Sequence, residues 1–171
     1  AASYLGSFMV LRRMALVGDA FTHIALPGMG VAFLLNVNPF AGAFVFLALG
    51  AVSIWFLEHK TKIYTEALVG VIFTLGLAIG ILITPEPELF EALFGDISEA
   101  TVLGTIVSAV LALLTLIFVF NISRQIIMGV ISEDFAKANG VKIERLNLIF
   151  LMLVAIITAL GIKIVGTLLM G

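Results

Sequence analysis

The chain has 171 residues, 62% of them hydrophobic and only 12% charged, with a formal net charge of −2 and no cysteine. A soluble domain carries about 25% charged residues, so this composition excludes an ordinary soluble core and points to a membrane-embedded protein. The missing cysteines exclude a disulfide framework and a thiolate metal site, and so small a net charge gives no reason to expect a nucleic-acid partner.

Crossing ~30 Å of hydrocarbon takes roughly 20 apolar residues. In chain order, Ala1–Leu11 reads as the end of a span. Five further segments are long enough, or nearly so: Met14–Leu35, Phe40–Leu57, Thr65–Thr84, Thr101–Phe120 and Leu146–Met170. The predicted fold is all-α, a polytopic transmembrane helical bundle. The chain opens mid-pattern and stops without a polar tail, and its first residues lack the basic region and cleavage site of a signal peptide. Residues 1–171 are therefore expected to form one transmembrane domain, a fragment that lacks most of its first span and its last ones.

The connections between spans are legible. Asn38 is placed to cap a helix whose first residue is Pro39, where the missing N–H costs nothing. Thr65 is the expected cap of the next, with Glu66 in its first turn. Eight of the nine basic residues fall on one side if the Arg12–Arg13 turn is cytoplasmic: Arg12, Arg13, Lys60, Lys62, Arg124, Lys137, Lys142 and Arg145. The segment Pro85–Ala100 then lies outside, with five acidic residues and no base. The positive-inside rule holds at every connection. Small residues recur at helical spacing (Gly76 and Gly80; Gly104, Ser108 and Ala112; Gly161 and Gly166), a pattern of close helix packing.

One span carries chemistry. Asp19 and His23 are four residues apart, on one helix face. An aspartate at a span centre costs ~2.5–3.5 kcal/mol on insertion scales, so it faces protein or a watery cavity. Carboxylate plus imidazole suits Zn²⁺, Mn²⁺ or Fe²⁺. A structural Asp–His bond between packed helices is the competing reading. Pro27 denies the carbonyl of His23 its helical donor, and Gly28 and Gly30 follow it, so a kink or helix break is expected at Pro27–Gly28. His59, at a span edge, is expected to be solvated, and Lys163 either snorkels or pairs with a carboxylate.

After the fourth of these spans, Ser132 caps a short helix with Glu133 and Asp134 in its first turn, stopped at Asn139–Gly140. So short a helix is unstable alone and must dock on its own bundle or on a partner. No G-x-x-x-x-G-K-[ST], H-E-x-x-H or G-x-S-x-G occurs, so ATP is not handled here and no enzyme is expected.

The stretch "GSFMVLRRMALVGDAFTHIALPGMG" resembles the opening of the membrane permeases of zinc and manganese ABC importers, with their G-x-F-x-V-x-R-R and G-D-x-x-x-H patterns. "LFGDI" at Leu93–Ile97, "EDFAKANGV" at Glu133–Val141 and "IKIVGTLL" at Ile162–Leu169 are similar to later blocks of the same family, in the same order. The resemblance implies a homodimeric permease in a prokaryotic inner membrane. Cytoplasmic ABC ATPase subunits would bind it from inside and an extracytoplasmic metal-binding protein from outside. It implies Asp19 and His23 as ligands of the transported ion, with no permanently bound cofactor. It also makes the cytoplasmic helix the coupling element, with Glu133, Asp134, Phe135, Ala136, Ala138 and Gly140 facing the ATPase. The residues alone leave two rivals: a cation-coupled secondary carrier using the Asp–His pair, and a non-transporting assembly subunit.

Overall fold

The computed structural model describes residues 2–61, 63–84 and 102–165. Among them the chain forms seven helices and no strand: α1 (Ala2–Leu11), α2 (Ala15–Leu34), α3 (Pro39–Thr61), α4 (Thr65–Ile83), α5 (Val102–Ile131), α6 (Glu133–Ala138) and α7 (Ile143–Val165). Five of them, α2 to α5 and α7, are long and apolar enough to cross a membrane. The all-α bundle expected from the sequence is the observed fold. The acidic segment Pro85–Ala100, the Leu93–Ile97 block, the residues from Gly166 onward and the side chain of Lys163 lie outside the described residues.

Three helices stop by the same device. In the Schellman motif the residue past the cap turns left-handed, and its neighbours' N–H groups satisfy the last carbonyls. α1 ends this way with Arg13 at φ 57°, Met14 N donating to Met9 O (2.8 Å) and Arg13 N to Val10 O (3.0 Å). α2 ends with Asn36 at φ 54° and Val37 N on Ala32 O (3.0 Å). α6 ends with Gly140 at φ 78° and Val141 N on Ala136 O (3.0 Å). Arg13 has neither the freedom of glycine nor the short polar side chain of asparagine, so its turn is the most costly of the three.

The helix starts follow the sequence in two cases and depart from it in a third. Asn38 Oδ1 accepts from Phe40 N (2.9 Å) and Ala41 N (3.3 Å), so it caps α3 as expected. Ser132 Oγ accepts from Phe135 N (3.2 Å) and caps α6. Thr65 is not a cap. It is the first residue of α4, and its hydroxyl donates to Glu58 Oε1 at 2.5 Å, tying the start of α4 to the end of α3. A charged acceptor one helix away outcompetes the local backbone N–H. α5 runs to Ile131, well past Phe120. Between Arg124 and Ile131 only Gly129 disfavours helix, so the helix continues beyond the apolar run until Ser132.

α2 is the centre of the bundle. In its apolar stretch 67% of residues are buried, against 11% in α5. It packs chiefly on α3 and α4, and α3 in turn on α7. The core is large and apolar, with Phe21, Leu26, Leu47, Ile54, Phe150 and Leu151 fully buried. Leu113, Leu114, Ile117 and Phe120 of α5 are exposed, as a face toward lipid must be. Glycines set the close approach. A Cβ on Gly28 would strike the carbonyl of Gly42 and lie 2.8 Å from Phe46 Cβ. A Cβ on Gly80 would lie 2.7 Å from Leu26 Cβ and 3.1 Å from Pro27 Cδ. Backbone therefore touches backbone on both flanks of α2.

This packing explains a departure from the sequence reading. Pro27 and Gly28 do not break α2, which is helical from Ala15 to Leu34 with both residues buried. The proline forfeits one hydrogen bond to the carbonyl of His23. The helical path survives because α3 seats against Gly28 on one flank and α4 against Pro27 on the other.

Candidate metal centre

Asp19 and His23 share one face of α2, with His23 Nε2 3.8 Å from Asp19 Oδ1. That is too long for a hydrogen bond and within reach of an ion pair when the imidazole is protonated. It is a separation that one ion can bridge: donors each ~2.1 Å from a divalent transition metal lie at most about 4.2 Å apart. The Asp19 side chain is 49% exposed and that of His23 only 19%. The carboxylate is thus half-exposed, and the imidazole is held within the bundle. Thr22, between them in sequence, is buried and donates to Asp19 O at 2.6 Å. Its hydroxyl is satisfied inside the helix and is spent there.

α4 supplies the wall behind His23. The Phe73 ring lies 4.9 Å from the imidazole, centroid to centroid, with the two planes perpendicular. One turn on, a Cβ at Gly76 would sit 3.3 Å from His23 O, so α4 passes tightly under the carbonyl that Pro27 leaves without its helical donor. His23 Nδ1 is buried and has no hydrogen-bond partner. Among the described residues no group of three or more His, Cys, Asp or Glu side chains could hold a metal. Two donors are fewer than the four to six that such ions take.

α6 is anchored by one residue and presents the others. Ala136 is fully buried, while Glu133, Asp134, Phe135, Ala138 and Gly140 are exposed, Phe135 by 57%. Glu133 pairs with Lys137 at 3.2 Å along the same helix. Docking through Ala136 leaves an exposed aromatic ring flanked by two acidic residues.

Beside α6 lies a polar corner that sequence reasoning did not assemble. Arg12 donates to Asn147 Oδ1 and sits over the Phe150 ring at 5.1 Å. Burial pushes the Arg12 guanidinium pKa down from its ordinary value, and the charges of Glu58 and Glu133 act the other way. Trp55 Nε1 donates to Glu144 O (2.9 Å), stacks on His59, and His59 Nε2 lies 3.7 Å from Glu144 Oε1. His59 is thus half-exposed and paired rather than simply solvated. A cleft of about 250 Å³ runs between these residues and α6, lined by Trp55, Glu58, Glu133, Lys137, Glu144 and Asn147 among others. The α1–α2 corner, the end of α3 and the α6–α7 turn therefore gather at one end of the bundle, the end where the basic residues cluster. In the sequence this corner shows only as the Arg12–Arg13 pair, which bears on orientation and on the family pattern but not on these contacts.

Comparison with known proteins agrees with this architecture. Residues 1–171 match the ABC 3 transport family. The manganese import system permease protein ScaB of Streptococcus gordonii is 29% identical, over 98% of this chain and 62% of its own length. The high-affinity zinc uptake system membrane protein ZnuB of Haemophilus influenzae is 30% identical, over 96% of this chain and 65% of its own. Among solved structures, PsaBC from Streptococcus pneumoniae in complex with Fab superposes with a TM-score of 0.76 at 28% identity, over 97% of this chain and 61% of that one. The chain thus spans less than two thirds of the length of these relatives. With a match that covers all of its residues, the chain belongs to the ABC 3 transport family.

Proposed function

We propose that this chain is the transmembrane permease part of an ATP-binding-cassette importer. It carries a divalent transition-metal ion, Zn²⁺, Mn²⁺ or Fe²⁺, across the inner membrane of a prokaryotic cell into the cytoplasm. One observation carries the reading: in a family whose relatives here are named for manganese and zinc, the central helix holds a carboxylate and an imidazole 3.8 Å apart on one face. Neither group has a reason to stand in the bundle's central span unless a cation compensates its desolvation.

The division of labour follows from the chemistry present. Asp19 and His23 offer two donors of a sphere that wants more. Water and a second copy of the chain related by two-fold symmetry supply the rest in this reading. A site so sparsely furnished binds an ion it can also release, which conduction requires. The chain has no phosphate-binding motif, so ATP hydrolysis belongs to separate cytoplasmic ATPase subunits, with the segment Glu133–Gly140 as the element on which they push. An extracytoplasmic binding protein delivers the ion from the other side. Because backbone contacts clamp α2 between α3 and α4, these three helices move as a unit, and the site changes access by motion of that unit against its surroundings.

The test is uptake by cells that carry the full-length permease with its ATPase and lack other transition-metal importers. Asp19→Ala and His23→Ala are expected to abolish Mn²⁺ and Zn²⁺ uptake with unchanged membrane insertion. Uptake at the wild-type rate in both variants removes the site assignment.

A further inference from the structure

A metal-binding histidine nearly always donates its second ring N–H to a carbonyl, carboxylate or water, which fixes the tautomer and aims the ligating nitrogen. His23 departs from that rule. Its Nε2 faces Asp19, while Nδ1 is buried and finds no oxygen or nitrogen partner. Next to the ring stands Phe73, perpendicular to it at 4.9 Å. An aromatic face accepts an N–H weakly, and a weak acceptor is far better than none for a buried donor.

Resting on the metal-site reading above, we propose that Phe73 is the positioning residue of this site. Its ring face takes the Nδ1–H of His23 and so holds the imidazole in the tautomer that leaves the Nε2 lone pair free for the ion. Three observations converge on this assignment. The ring is the aromatic neighbour of the imidazole, at the perpendicular angle such a contact requires. The buried nitrogen is otherwise unsatisfied. Gly76, on the next turn of the same helix, packs so closely on α2 that an added Cβ would lie 3.3 Å from the His23 carbonyl oxygen, so the ring is carried on a backbone seated against that of its client. A π face has no lone pair that competes for the metal and no charge to neutralise. It orients the ligand without adding to the electrostatic hold on the ion, which suits a site that must let its cargo go.

The experiment measures Mn²⁺ and Zn²⁺ affinity of the purified full-length permease by calorimetry, with thermal unfolding as the control for packing. Phe73→Leu keeps an apolar side chain of nearly the same bulk and removes the ring, and Phe73→Tyr keeps the ring. The leucine variant is expected to bind both ions at least about tenfold more weakly, the usual cost of losing such an outer partner, while the tyrosine variant binds as wild type. Both should unfold near the wild-type temperature. Wild-type affinity in the leucine variant overturns the proposal, and so does a tyrosine variant as weak as leucine. A His23→Ala control that binds both ions as tightly as wild type instead overturns the metal-site reading itself, and this inference with it.

Discussion

The bundle holds two groups of polar side chains, one on the central helix α2 and one at the corner between α1, α3, α6 and α7. At the corner the polar groups answer one another: Arg12 with Asn147 and the Phe150 ring, Trp55 with Glu144, His59 with Glu144, Thr65 with Glu58. On α2, Asp19 and His23 face each other at 3.8 Å along a single helix, with no polar side-chain contact from either to another helix among the described residues, and a buried nitrogen of the histidine has no polar partner. Polar groups that satisfy one another hold a fold together. A pair confined to one helix ties no helices together. The corner therefore serves the fold, and the α2 face is the place where the proposed transport site is open to test.

That contrast predicts opposite signatures. The largest effect is expected on α2. Asp19→Ala or His23→Ala should reduce metal uptake by more than about 100-fold, and Asp19→Ala, which removes a half-exposed side chain, should leave the unfolding temperature of the purified permease within error. An unfolding temperature that drops with uptake would make the pair structural and erase the distinction. Packing beside the pair comes next. Gly28→Ala places a methyl group against the Gly42 carbonyl and should destabilise by about 1–3 kcal/mol, read as a lower unfolding temperature with weaker uptake. At the corner, Arg12→Met removes the hydrogen bond to Asn147 and the charge over Phe150. A loss of about 1–3 kcal/mol in stability is expected, with metal affinity unchanged. The smallest effect belongs to Glu144→Gln. Its pairing with His59 is exposed on both sides and contributes less than about 1 kcal/mol, so thermal unfolding should barely shift. A large shift there would place the corner's stability in its surface charges rather than in Arg12.

Much of this was legible in the amino-acid order, and the reasons are specific. Spans announce themselves by length and apolarity, because a membrane tolerates little else. Asn38 and Ser132 announce helix starts, because a short polar side chain facing three bare N–H groups has one obvious use. Asp19 and His23 were visible because four residues make one helical turn. What stayed hidden depended on contacts between distant segments. Nothing near Thr65 shows that Glu58 from the preceding helix takes its hydroxyl. Pro27 reads locally as a break, and only the clamp formed by Gly42 and Gly80 from two other helices keeps α2 whole. The length of α5 was underestimated because apolarity ends before helicity does. Nothing near Arg12 in the sequence shows its neighbours Asn147 and Phe150, which come from the far end of the chain. Phe73 gave no signal, since one phenylalanine among 14 is distinguished only by the ring it touches.

The most direct measurement is Mn²⁺ binding by the purified full-length permease, wild type against the double variant Asp19→Asn, His23→Gln, which keeps side-chain size and removes the carboxylate charge and the imidazole. Saturable binding in the wild type that vanishes in the double variant, with both proteins folded, is the predicted result. Equal affinity in the two would contradict it and leave the α2 face without its ion.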